Sequence, residues 1–378
     1  MSKNKNLHPL NKGERVNFSL QEEVDSAIQN YESGNLSVAE SICRNILDVT
    51  PDHPIINHLL GIIAQQTGNF SAAESLISKA IEIQPDYVDA HISLGNSHQM
   101  RGRYEEALAC HQRAITLSPD NLDTLINLGN ILLELKRFED ALNHYEKALA
   151  LNPDHAQANC GLGAAFFKLG SFEKAEAAYN KALAATPEFP QASYNFGNLL
   201  MEVGRYAEAA ENYGKALIHL PKSPDVLFNL GNALKELDRL EEALVHYHNA
   251  IDIKPDYLEA QNNLALALHK LGRLDDAVSH YYKAIAIMPD NAGVHSNLGN
   301  VLKDLGKLDD AISSYNKALA IKPNFAQAQN NKGNALKELG RFDDAVASYN
   351  KALTIKPDYS EAYNNLGISL KNLGRLDE

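Results

Sequence analysis

Apolar residues recur along the chain in steps of three and four, and these helical stretches themselves recur every 34 residues. Ten prolines mark the period: Pro51, Pro85, Pro119, Pro153, Pro187, Pro221, Pro255, Pro289, Pro323 and Pro357. With each proline at position 32, the first repeat runs 20–53, the tenth 326–359, and an eleventh starts at 360. A period of this length marks a solenoid of like supersecondary pieces, none of which buries its apolar face alone. It replaces the two or three globular domains that 378 residues would otherwise suggest.

Each repeat reads as two helices. In a first helix Leu298 and Leu302 share a face, and in a second helix Ala311, Tyr315 and Ala318 form one apolar stripe. Position 15 is glycine in nine of eleven repeats, from Gly34 to Gly374, as a left-handed helix stop requires. The proline at position 32 then ends the second helix. Small residues at positions 8, 20 and 27, such as Gly129, Ala175 and Ala318, predict closely approaching helices. Tyrosine at position 24, from Tyr145 to Tyr349, reads as core. Lys136 and Asp238 stand where position 15 wants glycine, which predicts strained turns. Lys332 replaces a position-7 leucine and is expected to turn its amine toward water.

The expected organisation is a disordered polar arm over 1–19, ten complete repeats over 20–359, and the first helix of a truncated eleventh over 360–378. Leu366 and Leu370 should then lack a packing partner, leaving on the order of 5 kcal/mol of burial unrealised. The chain is accordingly expected to be a fragment of a longer product.

Composition narrows the functional classes. Asp and Glu outnumber Lys and Arg by 48 to 35, a net charge of -13, which argues against nucleic acid as a partner. No apolar run is long enough for a membrane span and the N-terminus lacks a secretory apolar segment. Three widely spaced cysteines, Cys43, Cys110 and Cys160, fit neither a disulfide framework nor a zinc site, so a reducing, cytoplasmic location is expected. Phosphate-binding loops, nucleophile elbows and zinc-protease motifs are absent. His98 and His111, at positions 11 and 24 of one repeat, are expected to meet as a hydrogen-bonded core pair, not a metal site. No cofactor or metal is expected, and no feature specifies an oligomeric state.

The informative polar positions lie on the first helices. Position 6 is Asn127, Asn195, Asn229, Asn263, Asn297, Asn331 and Asn365, interrupted by Gly161. Position 9 is Asn96, Asn130, Asn198, Asn232, Asn300 and Asn334. Positions 6 and 9 share one helix face. Asparagine is a poor helix-interior residue, so its recurrence at two phases points to binding. Its amide both donates and accepts, matching a peptide's own N–H and C=O. Lys235, Lys303, Lys337 and Lys371 at position 12 extend the stripe, either toward ligand carboxylates or as a solvated face.

A 34-residue period with Leu-Gly at positions 7–8, Ala at 20, an aromatic at 24, Ala at 27 and Pro at 32 resembles the tetratricopeptide repeat, over about 95% of the chain. The resemblance implies an all-α fold, a right-handed α-solenoid superhelix of helix–turn–helix units whose first helices line a concave groove. More narrowly, the stretches 229–237 and 297–305 are similar to repeats in the arm of O-GlcNAc transferases and of related bacterial transferases. In that arm the position-6 asparagines form a ladder along the inner surface. Two functions follow as expectations. One is a non-catalytic scaffold holding extended peptide segments of partner proteins in the groove. The alternative is the substrate-recruiting arm of a larger glycosyltransferase, less readily a sulfotransferase, with its catalytic domain beyond residue 378. Sequence past that residue discriminates between them.

Overall fold

The computed structural model describes residues 12–375, with side chains from residue 20 onward. Among the described residues there are 21 α-helices and no strand. The chain divides into two compact halves, Met1–Pro187 and Glu188–Glu378. Within each, helices follow one another in pairs: a first helix such as Pro54–Gln66 occupies positions 1–13, and a second such as Phe70–Ile83 occupies positions 17–30. This is an all-α solenoid. Each first helix packs on the second helix of its own repeat, and the second packs on the next first helix of the same half.

Both predicted stops operate. At position 15 the backbone enters the left-handed region, as at Gly102 with φ 71°. Lys136 and Asp238 adopt the same conformation, with φ of 60° and 59°, against the steric preference of a Cβ-bearing residue. The turn after each periodic proline ends at position 34, where several side chains cap the next helix. Asn121 Oδ1 accepts the Thr124 N–H at 2.9 Å and Asn291 Oδ1 accepts that of Val294 at 3.1 Å.

The core of each repeat is a tyrosine set into a glycine. A Cβ added to Gly129 would lie 2.6 Å from the ring of Tyr145, and one on Gly231 would lie 2.7 Å from Tyr247. Position 8 is therefore small to admit the ring from position 24, not only to bring helix backbones together. These rings, from Tyr145 to Tyr349, are fully buried. Burial raises their hydroxyl pKa values and keeps them neutral.

Three expectations need correction. The first helix runs Lys12–Glu32, so residues 12–19 of the expected disordered arm are helical; the apolar spacing of Val16, Leu20 and Val24 carries the pattern back through them. Residues 1–11 lie outside the described residues. Leu370 is buried and Leu366 half-buried, because the helix Ser360–Asn372 packs on the second helix of repeat ten; Tyr363 and Ile368 are the apolar residues it leaves exposed. His98 and His111 do not bond. His111 sits in the tyrosine slot beneath Gly95 with neither ring nitrogen partnered, while His98 lies 3.7 Å from Glu74. Lys332 is half-buried, and burial lowers its pKa, with the Lys351 charge adding to the effect.

Candidate functional site

Asparagines on the first helices are joined into a repeating hydrogen-bond relay. The position-24 tyrosine donates to the position-9 carboxamide oxygen of its own repeat: Tyr145 to Asn130 at 2.7 Å, and Tyr213 to Asn198, Tyr247 to Asn232, Tyr315 to Asn300 and Tyr349 to Asn334, each at 2.8 Å. At Asn198, Asn232 and Asn300 the same oxygen accepts a second hydrogen from the position-6 amide of the next repeat, and Asn96, whose repeat carries His111 in place of tyrosine, accepts that amide alone. Asn229 donates to Asn198 at 3.1 Å, Asn263 to Asn232 at 2.8 Å, Asn331 to Asn300 at 2.9 Å, and Asn127 to Asn96 at 3.4 Å. One carbonyl oxygen with two lone pairs takes both donors.

The chemical consequence is a fixed orientation. The position-9 oxygen is turned inward, and at Asn198, Asn232 and Asn300 it is saturated, so the Nδ2 group is the free end. One N–H of Asn127, Asn229, Asn263, Asn297, Asn331 and Asn365 is used between repeats. The carbonyl oxygens of Asn195, Asn263, Asn331 and Asn365 already accept from Gln191, Asn262, Asn330 and Lys337, so those of Asn127, Asn229 and Asn297 remain. The face thus presents free amide donors with acceptors at some repeats, and twelve of the thirteen asparagines are half-buried; Asn365 is buried. Charged groups do not set this pattern, since neither amide ionises.

Where the sequence departs from the repeat, the relay changes locally. Leu266 occupies position 9 of repeat eight, so the Tyr281 hydroxyl is buried without a partner. Asn297 turns instead to Asn262, donating at 3.2 Å. Gly161 replaces asparagine in repeat five because the Tyr145 ring covers that position, leaving no room for a side chain. Asn365 donates to Asn330 at 3.3 Å, and Asn195 accepts from Gln191 at 3.0 Å.

Two of the four position-12 lysines meet carboxylates of the protein itself. Lys235 lies 3.1 Å from Glu236, and Lys303 lies 2.9 Å from Asp304 and 3.8 Å from Glu338. Lys337 donates to Asn365 Oδ1 at 3.2 Å, and Lys371 is exposed. Burial alone would raise the Asp304 carboxyl, but hydrogen bonds from Lys303 and His269 hold it below the usual range. These acids at position 13 were overlooked in the sequence, although Lys-Glu and Lys-Asp steps are visible there. Also overlooked were the recurrent exposed pairs at positions 16 and 19, such as Arg239–Glu242 at 2.6 Å, which add little stability.

Elsewhere the reactive side chains are subdued. Burial pushes the thiols of Cys43 and Cys110 up to about 11, away from the nucleophilic form. Among the described residues no group of three or more His, Cys, Asp or Glu could hold a metal, and no helix is long and apolar enough to cross a membrane.

A family model described as the cilia and flagella-associated protein 70 C-terminal domain matches residues 57–293, more than half of the chain. A second, described as TPR repeat, matches 299–340 and 333–374. No curated protein matches. Among solved structures the chain is similar to YrrB, a TPR protein with an unusual peptide-binding site, at 26% identity over 49% of this chain and 95% of that one, with a TM-score of 0.45. It is similar to the APC/C hetero-tetramer Cut9-Hcn1 at 14% identity over 91% of this chain and 95% of that one, with a TM-score of 0.47. With MamA it shares 26% identity over 43% of this chain and 95% of that one, with a TM-score of 0.42.

Proposed function

The chain belongs to the tetratricopeptide-repeat family, and we propose that it is a protein-binding scaffold whose first-helix face grips extended segments of partner proteins by their backbones. Repeat arrays of this kind present extended surfaces to partners. The observation that carries the proposal is the relay from Tyr247 through Asn232 to Asn263 and its counterparts, which orients each amide before any ligand arrives. Preorganised amides cost less ordering on binding. Helices stacked ~8–10 Å apart meet about every third residue of a strand rising ~3.3 Å per residue. At about 1 kcal/mol net per hydrogen bond, several such contacts give affinities in the micromolar range.

Replacing Asn263, Asn297 and Asn331 together by alanine tests the proposal. Affinity for partner peptides captured on the intact chain should fall while the helical circular dichroism stays; unchanged affinity with an unchanged spectrum refutes it. A cytoplasmic setting accords with the small number and wide spacing of the cysteines, Cys43, Cys110 and Cys160. Recruitment of substrates to a transferase would use this same face. That second function is supported by the similarity of 229–237 and 297–305 to transferase arms, and by nothing in the geometry that the scaffold lacks.

A further inference from the structure

The asparagine relay is blind to side chains, but one cavity beside it is not. Gln65, Asn96, Gln99, Met100, Tyr104 and Glu134 line a cavity of about 550 Å³ in the half Met1–Pro187. Asn96 makes it continuous with the relay, since its Oδ1 accepts from Asn127.

The lining carries one negative charge, Glu134, beside amide oxygens that can accept. Gln65 donates from Nε2 to the Met100 sulfur at 3.2 Å, which leaves its carbonyl oxygen available. The side chains of Gln99 and Glu134 make no hydrogen bond or ion pair among the described residues. Glu134 is the informative member. At the same position 13, Glu236 and Asp304 have a lysine from position 12 beside them, at 3.1 and 2.9 Å. In repeat four position 12 is Leu133, so Glu134 has no such cation. The arginines nearest in sequence are committed elsewhere: Arg101 and Arg103 to Glu74, and Arg137 to Asp140.

The remaining walls suit the body of a cationic side chain. Tyr104 offers an aromatic face and Met100, 65% exposed, a polarisable apolar surface. A planar guanidinium presents several donors at fixed angles, which can reach a carboxylate and two amide oxygens at once; an ammonium is a compact point charge. We infer that this cavity is a subsite for an arginine side chain of the bound peptide. This rests on the peptide-binding function proposed above and adds a sequence preference to it: the relay holds the backbone, and the cavity between repeats two and four fixes the register.

Met100 is also a reporter, because the chain has only four methionines. The test uses the full chain labelled with ¹³C-methyl methionine and titrated with alanine-serine peptides of about twelve residues carrying arginine, citrulline or lysine at the centre. The arginine peptide should shift the Met100 methyl and leave those of Met201 and Met288 in place. Citrulline, equal in shape but neutral, should bind about tenfold more weakly, and lysine should fall between. Glu134→Gln should abolish the arginine advantage while leaving citrulline binding as it was, which also shows the variant is folded. Equal affinity for arginine and citrulline peptides, or a still Met100 methyl, overturns the arginine subsite and leaves backbone recognition standing. If no peptide binds, both proposals fail.

Discussion

The Tyr247 hydroxyl donates to Asn232 Oδ1 at 2.8 Å, across the two helices of one repeat, and thereby aims Asn232 for the next repeat's Asn263. Repeat eight lacks this bond, since Leu266 faces Tyr281. The two tyrosines should therefore respond oppositely to loss of the hydroxyl. Tyr247→Phe should cost about 1 kcal/mol in urea unfolding, and Tyr281→Phe should be neutral or slightly stabilising, because it removes a buried unpaired group.

His111 occupies a tyrosine slot, and burial lowers its pKa to about 4. The unfolded chain takes up that proton near 6.5 and the folded chain only near 4. Stability from this group is thus complete above about pH 6.5 and falls as the pH drops toward 4, by roughly 1.4 kcal/mol per pH unit at most. His111→Tyr places a hydroxyl where the relay would bring it to Asn96. It should raise stability at pH 7 and flatten the loss between pH 6.5 and 4, measured by urea titration at each pH.

Two glycines at position 8 should differ in sign, because a tyrosine ring packs against one and not the other. Gly231→Ala drives a methyl to 2.7 Å from the Tyr247 ring and should cost on the order of 1–3 kcal/mol. Gly367 has no neighbour within 4 Å of an added Cβ, so Gly367→Ala should stabilise by about 0.5–1 kcal/mol through helix propensity. Thermal unfolding of the two variants checks the pair.

Lys136 holds a φ of 60° at a position elsewhere filled by glycine. Lys136→Gly should stabilise by about 1 kcal/mol by relieving that conformation, with no change in the flanking helices by circular dichroism.

The repeat, its stops and its buried stripe were legible because each depends on local chemistry repeated seven to ten times: glycine at a left-handed turn, proline past a helix, tyrosine on an apolar face. The relay was not. Asn130 and Tyr145 stand fifteen residues apart on different helices, and only their packing reveals that one serves the other. The signal was nevertheless present: in repeats four, six, seven, nine and ten asparagine at position 9 accompanies tyrosine at position 24. The lysine column left open a ligand contact or a solvated face because adjacency in sequence, as at Lys235-Glu236 and Lys303-Asp304, does not by itself show a pairing. His111 read as half of a pair because position 11 was placed across from position 24; the ring instead lies under Gly95.

Backbone recognition is tested most directly by removing backbone donors from the ligand. An alanine-serine peptide with one central arginine is compared with a scrambled version keeping that arginine and with a version N-methylated at alternate residues. The asparagine face predicts that scrambling changes affinity by less than about threefold and that N-methylation weakens it by about tenfold or more, as loss of two or more hydrogen bonds requires. Equal binding of the N-methylated peptide would show that the asparagines do not read a peptide backbone.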